Sequence, residues 1–344
     1  MAAVGKASTA KAVAQKAGVS RSAVSRAFNP VAYLDPKKRA HILAVAKEIG
    51  YHPNMAARAM VSNRSHLVAV ILPELRQPWE SQELDALTDA LQALGFATLV
   101  YKIPFAVPEF DQLSHLRAYN PDSIIVYSDS LPLGGVKALF SGTRPIFPVY
   151  SDGTKVLAIE TAESDPGFDQ LIIDQRPGIK HALRLLSACG CRSLAWLTGT
   201  EDTHSNQDRQ RVILEHAAQY GLEITGTIRG DFSYERAREE VRSRFRAGLR
   251  VDALFAANDV SAFGALDALR HDLGLSVPQD VKVIGFDNIN QSSWKSYDLT
   301  TVGLDIDERV RALTRLIRDR LEDRQAPTLF ERVESRLIVR GTVA

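Results

Sequence analysis

Ala17-Gly18-Val19-Ser20-Arg21-Ser22-Ala23-Val24-Ser25-Arg26 is the stretch from which the rest of the chain can be read. Gly18 separates two short helical patterns, with Ala12, Val13 and Ala14 before it and Val19, Ala23, Val24 and Phe28 after it. A tight turn between helices wants a backbone free to take positive φ, which glycine supplies. It also wants a side-chain oxygen, here that of Ser20, to accept from the free N–H groups of the next helix. The second helix would then expose Arg21, Ser22, Ser25 and Arg26, short polar and cationic groups suited to a major groove. The ten residues fit an ordinary helical hairpin as well. The surroundings must decide.

Outward from this turn, Asn29-Pro30 breaks the pattern and Asp35-Pro36 restarts it, Asp35 as N-cap and Pro36 at the first helical position. Ile42, Leu43, Val45, Ala46 and Ile49 follow at helical spacing and stop at Gly50. This predicts a three-helix domain over residues 1–52. A linker over 53–65 follows, in which Met55–Val61 is helix-capable but too short to be stable alone. Charge sharpens the division. Residues 1–64 hold eleven Lys/Arg against two acids, whereas the remaining 280 residues hold 31 basic against 39 acidic residues. A basic head on a mildly acidic body suits a head meant for phosphate backbones.

From Leu67 the texture alternates between apolar strand-like runs and amphipathic helical stretches. The runs are Leu67–Leu72, Phe96–Tyr101, Ser123–Tyr127, Pro145–Tyr150, Leu171–Ile173, Leu194–Thr198, Ala253–Ala256 and Val281–Phe286. Helical stretches lie at Leu84–Leu94, Ile179–Ala188, Gln207–Tyr220, Tyr234–Ala247 and Val260–Leu273. Continuous apolar strands followed by helices indicate parallel sheets covered on both faces, and the length suits two doubly wound lobes. The expected class is an all-α helix-turn-helix head on an α/β body of two parallel-sheet lobes. No apolar run reaches a membrane span's length, and the N-terminus lacks a signal peptide's apolar core, so a cytoplasmic location is expected. Cys189 and Cys191, the only cysteines, are read as loop or core thiols.

These motifs, taken together, make the chain resemble the LacI/GalR family of bacterial transcriptional regulators over nearly its full length. The head resemblance lies in Val13–Ser20 with Val24-Ser25-Arg26, and Gly50–Asn54 through Ala57-Arg58 resembles the approach to that family's hinge helix. Phe255–Asp259, Val277–Asp287, Leu299–Val302 and Val339–Thr342 match further family segments. Ala12 stands where the family usually has an acid, Val212 replaces a usual glycine, and Ser151–Gly167 is longer than usual. The resemblance implies a periplasmic-binding-protein-like body, with one effector-binding lobe at 66–174 and 305–330 and the other at 175–304 and 331–344.

The resemblance also implies roles. Arg21 and Ser22, with Ser25 and Arg26 further along the helix, would read bases, and an Arg bidentate to guanine is worth about 1–3 kcal/mol. Thr9 and Ser20 are expected to cap and to bond phosphate, and Asn29 to reach the backbone. In the hinge, Asn54, Ala57, Arg58 and Met60 would meet DNA. Ala57 would allow close approach of paired helices, Arg58 would bond phosphate or the groove floor, and Met60 would wedge into a minor-groove step. Effector residues are expected at the C-terminal ends of strands between the lobes. They are Arg209, Asn258, Asp287 and Phe232 in the second lobe, and Trp79, Tyr127 and Tyr150 as walls of the first.

The expected partners are pseudo-palindromic double-stranded operator DNA, a small sugar-like effector and a second copy of the chain. No heptad pattern follows Thr342, so a homodimer is the simplest assembly. No membrane partner, cofactor or metal is expected. A solute-binding protein would share the two lobes, but it would carry a signal peptide and no basic head. An enzyme is not expected either, for the dinucleotide loop, phosphate loop, His-Glu-x-x-His and Gly-x-Ser-x-Gly motifs are all missing.

Overall fold

The computed structural model describes residues 9–29, 32–53, 64–72, 75–102, 115–127, 145–151, 169–201 and 203–343. These fall into two compact units, Met1–Ser65 and His66–Ala344. In the first, α1 (Ala10–Lys16) and α2 (Arg21–Ala27) are joined by a turn in which Gly18 takes φ +64°, and α3 (Pro36–Glu48) follows. Each helix start is held by a side chain. Thr9, Ser20 and Asp35 accept from the backbone N–H of Ala12, Ala23 and Lys38 at 3.3, 3.2 and 2.9 Å. Val13, Val24, Ile42 and Ala46 form the centre of this small core, and Phe28 meets Tyr51 edge to face at its border.

The second unit holds two six-stranded sheets. The first runs β11-β5-β4-β3-β1-β2, with β1 Leu67–Leu72, β2 Ala97–Lys102, β3 Ser123–Tyr127, β4 Ile146–Ser151, β5 Gln170–Asp174 and β11 Phe330–Glu334. The second runs β12-β10-β9-β8-β6-β7, with β6 Ser193–Thr198, β7 Glu223–Arg229, β8 Ala253–Ala256, β9 Lys282–Asp287, β10 Thr300–Gly303 and β12 Arg336–Ile338. Among the described residues only β12 joins its neighbour antiparallel. The continuous apolar runs follow from burial on both faces. Val68 and Val70 pack with Leu87 and Leu91 of α4 (Pro78–Ala93) and Leu313 of α9 (Ile306–Glu322), while Ala69 and Ile71 enter the cluster around Leu116 on the other face. In the second sheet Ala195 and Leu197 face one core, and Leu194 and Trp196 the other.

The remaining helices, α5 (Arg176–Ala188), α6 (His204–His216), α7 (Tyr234–Arg246) and α8 (Asp259–Asp267), cover the second sheet. The chain passes between the lobes three times, after β5, after β10 and after β11. The last passage corrects one expectation. A break at 330/331 would cut through β11, which pairs along all of β5 from Phe330–Gln170 to Glu334–Asp174. The return to the second lobe comes at buried Ser335, whose hydroxyl accepts from Gly178 N at 3.1 Å and donates to the Gln175 carbonyl at 2.8 Å.

Candidate functional site

In the head, Ala23, Val24 and Ala27 take the core side of α2, which leaves Arg21, Ser22, Ser25 and Arg26 together on its exposed face. The Ser20 and Ser22 hydroxyls lie 2.9 Å apart at the start of this face. Beyond α2, the Arg39 guanidinium donates to the carbonyls of Ala27, Asn29 and Ala32 at 2.9, 2.9 and 2.6 Å. That clamp fixes where the chain leaves the exposed helix and so positions Asn29. Asn54, Ala57, Arg58 and Met60 lie outside the described residues.

In the body, polar side chains gather where β8 and β9 end. Arg209, on the buried side of α6, donates from Nε to Gln175 Oε1 at 2.7 Å, from Nη1 to the Ala257 carbonyl, and from Nη2 to Asp287 Oδ1 at 3.2 Å. Its guanidinium carbon lies 3.7 Å above the Phe286 ring. A planar cation fixed by three bonds and a ring face keeps its orientation. Asp287 ends β9 at φ +111°, and Asn288 follows at +54°, so this carboxyl is presented from a strained turn. Burial pushes the Asp287 carboxyl up to about 8, against the pull of Arg209.

Asn258 caps α8, its Oδ1 accepting from Ser261 N at 2.9 Å. The next residue, Asp259, pins the loop after β9 by accepting from Ile289 N at 2.9 Å, the Ser292 hydroxyl at 2.6 Å and the Thr301 hydroxyl at 2.5 Å. Asp259 approaches β9 so closely that a Cβ on Gly285 would stand 2.2 Å from its Oδ1. Phe232, at φ +55° beyond β7, lays its ring on Gly199, where a Cβ would meet it at 2.1 Å. Arg209, Asn258, Phe232 and Asp287 thus stand on α6 or at and just beyond strand ends of the second lobe.

On the first lobe Trp79 lies in the first turn of α4 and Tyr127 ends β3, their ring centroids 6.4 Å apart. Trp79 also packs against the core of the second lobe. The Tyr127 hydroxyl donates to Glu83 Oε1 at 2.5 Å, and burial raises the phenol above its ordinary value. Glu83 pairs with Arg309 of α9; both are buried, and the Arg309 guanidinium lies 5.6 Å from the centre of the Trp79 ring. Tyr150 lies in β4, and its side chain falls outside what is described.

Sequence reasoning missed Gln77, Glu83, Gln175 and Arg309. Gln77 had a signal, for Gln77-Pro78 with Glu80 three residues on marks a helix start. Glu83 had another, since it shares the helical spacing of Leu87 and Leu91 and so falls on the buried face. Among the described residues no helix is long and apolar enough to cross a membrane, and no group of three His, Cys, Asp or Glu side chains is placed to hold a metal.

A three-helix head with a cationic helix face, joined to a two-lobed body with polar groups at its strand ends, defines a ligand-binding transcriptional regulator. Residues 9–54 match the family described as "Bacterial regulatory proteins, lacI family", and residues 183–343 match the "Periplasmic binding protein-like domain". The chain thus joins a LacI-family DNA-binding head to a periplasmic-binding-protein-like body, and its relatives are regulators of the LacI/GalR type. Its curated relatives include a ribose operon repressor of Halalkalibacterium halodurans, 23% identical over 97% of this chain and 96% of the relative. The transcriptional regulator CelR of Thermobifida fusca is 27% identical over 96% and 97% of the two chains. Such relatives are regulators, not enzymes. Among solved structures, a Lac repressor dimer bound to operator and the anti-inducer ONPF superposes with TM-score 0.83 at 23% identity, over 98% and 99% of the two chains. A CelR–cellobiose complex superposes with TM-score 0.67 at 25% identity over 97% and 99%.

Proposed function

We propose that this chain is a cytoplasmic repressor, acting as a homodimer on a pseudo-palindromic operator, whose DNA affinity is set by a sugar-like effector between the two lobes. The observation that carries the effector half is the cluster of Arg209, Asn258 and Asp287. It offers fixed donors and acceptors of both kinds, with Phe232, Trp79 and Tyr127 as aromatic walls. Hydroxyl groups match such a set, each donating to a carboxyl or amide oxygen while accepting from an amide or guanidinium. The names of the ribose and cellobiose regulators among its relatives support the same class of ligand. In the head, Arg21, Ser22, Ser25 and Arg26 read bases, while Thr9, Ser20 and Asn29 hold phosphate. Asn54, Ala57, Arg58 and Met60 engage the minor groove on the strength of the sequence pattern.

The test is a thermal-shift screen of neutral sugars and sugar acids on the full chain, followed by operator binding with and without each hit. A ligand at 100 times its dissociation constant adds about 2.7 kcal/mol of stability. At least one sugar should raise the melting temperature and change operator affinity, and Arg209→Ala or Asp287→Ala should abolish both effects while sparing operator binding without ligand. A hit whose stabilisation survives both substitutions would place the effector elsewhere.

A further inference from the structure

Gln77 belongs to the first lobe, yet both ends of its carboxamide are bonded to the second. Its Oε1 accepts from Asn258 Nδ2 at 3.1 Å, and its Nε2 donates to the Phe232 carbonyl at 3.2 Å. The orientation of both amides follows from the network. Asn258 Oδ1 is committed to Ser261 N at the start of α8, so its Nδ2 must face Gln77. Gln77 must then turn its oxygen to Asn258 and its nitrogen to Phe232, where a carbonyl can only accept. The backbone at Gln77 is fixed independently. Its N–H donates to Glu80 Oε2 at 3.0 Å, and Glu80 N donates to the Gln77 carbonyl at 3.1 Å, two bonds at the start of α4 that a change of the Gln77 side chain leaves in place. Trp79, two residues on, already rests on the second-lobe core.

We propose that Gln77 is a positioning residue of the effector cleft, a carboxamide bridge that holds the lobes closed and sets Asn258 and Phe232 for ligand. The proposal rests on the effector reading above, because Asn258 and Phe232 are two of the residues assigned to ligand there. Two hydrogen bonds across an interface shift an open–closed equilibrium on the order of tenfold. A chain that lacks them spends more time open and must close at the ligand's expense, so effector binding weakens by the same order. Residues 77, 232 and 258 are far apart in sequence, which is why no local pattern announced the bridge.

The bridge is testable without knowing the effector. The full chain and its Gln77→Ala variant are compared ligand-free by small-angle X-ray scattering and by tryptophan emission, in a Trp294→Phe background that removes an exposed indole. Gln77→Ala should enlarge the radius of gyration and shift the Trp79 emission to the red, with circular dichroism unchanged because the N–H and carbonyl of residue 77 still bond Glu80 at the start of α4. Gln77→Glu, which sets a carboxylate oxygen against the Phe232 carbonyl, should open the cleft in the same way and serves if the alanine variant folds poorly. Scattering and emission identical to the parent in a folded variant would overturn the proposal. A parent protein that binds no sugar would overturn the effector reading instead, and would leave the scattering difference standing.

Discussion

Asp259 shows how much one side chain can organise. Three donors converge on it from the loop after β9 and from β10, and it is fully buried. Burial holds its carboxyl up to about 6, against 3.8 for an ordinary aspartate. The folded chain thus keeps this proton more tightly than the unfolded chain does, so the site's contribution to stability is complete below the unfolded value and is lost as pH rises through the folded one. Two pH units of difference amount to about 3 kcal/mol. Urea unfolding of the parent and of Asp259→Asn should therefore show the parent's advantage shrinking by about that amount between pH 4 and pH 7. A constant difference across that range would mean that Asp259 does not titrate there. In the head, Arg21→Ala should cost about 1–3 kcal/mol on the preferred operator and relax base preference, whereas neutralising a phosphate-contacting lysine should weaken all sequences alike. Unchanged base preference in Arg21→Ala would shift the reading face along α2.

At the scale of elements, the buried pair Glu83–Arg309 fastens α4 to α9 beside Trp79 and Tyr127. Removing one partner leaves a buried charge unmatched and should destabilise by about 3–5 kcal/mol, while replacing both with apolar residues of similar size should restore most of the loss. Denaturant unfolding of Glu83→Leu, Arg309→Met and the double variant measures this directly. Additive losses would show that the two groups do not act as a pair.

The central strands were legible because burial on both faces writes an unbroken apolar run. Leu67–Leu72, Ser123–Tyr127 and Ala253–Ala256 fall where the sequence places them. β7 was not legible. It is an edge strand whose residues are exposed or half-buried apart from Ile228, so Glu223-Ile224-Thr225-Gly226-Thr227 reads as a loop. α9 was hidden by its five arginines, although Val310, Leu313, Leu316 and Ile317 lie at helical spacing and are buried. The second-lobe cluster was legible residue by residue only through the family resemblance. Gln77 and Arg309 are defined by partners distant in sequence, and no periodicity records such a pairing.

The whole molecule divides its charge as it divides its contacts, with the basic excess in the unit Met1–Ser65. Removing residues 1–65 should abolish operator binding and leave a folded body that binds the same sugars. In the full chain, operator affinity should fall steeply as salt rises, because each phosphate neutralised by Lys or Arg releases counterions. Electrophoretic shift assays across a salt series, with thermal-shift assays on the truncated body, check both halves. Operator affinity that survived the truncation would refute the division of labour.

The three passages between lobes bear on how the protein is made. Both sheets receive their final strands from residues 330–338: β11 beside β5 in one lobe, β12 beside β10 in the other. A ribosome delivers those residues after every other strand of either sheet has been translated. Until then β5 and β10 each present an unpaired edge, and β5 is buried along its whole length in the finished protein. A nascent chain in that condition is a template for wrong pairing with its neighbours on the same message. A premature stop codon anywhere between Glu322 and Phe330 should therefore yield insoluble product rather than a slightly shortened regulator, since it strips the closing strand from both lobes at once.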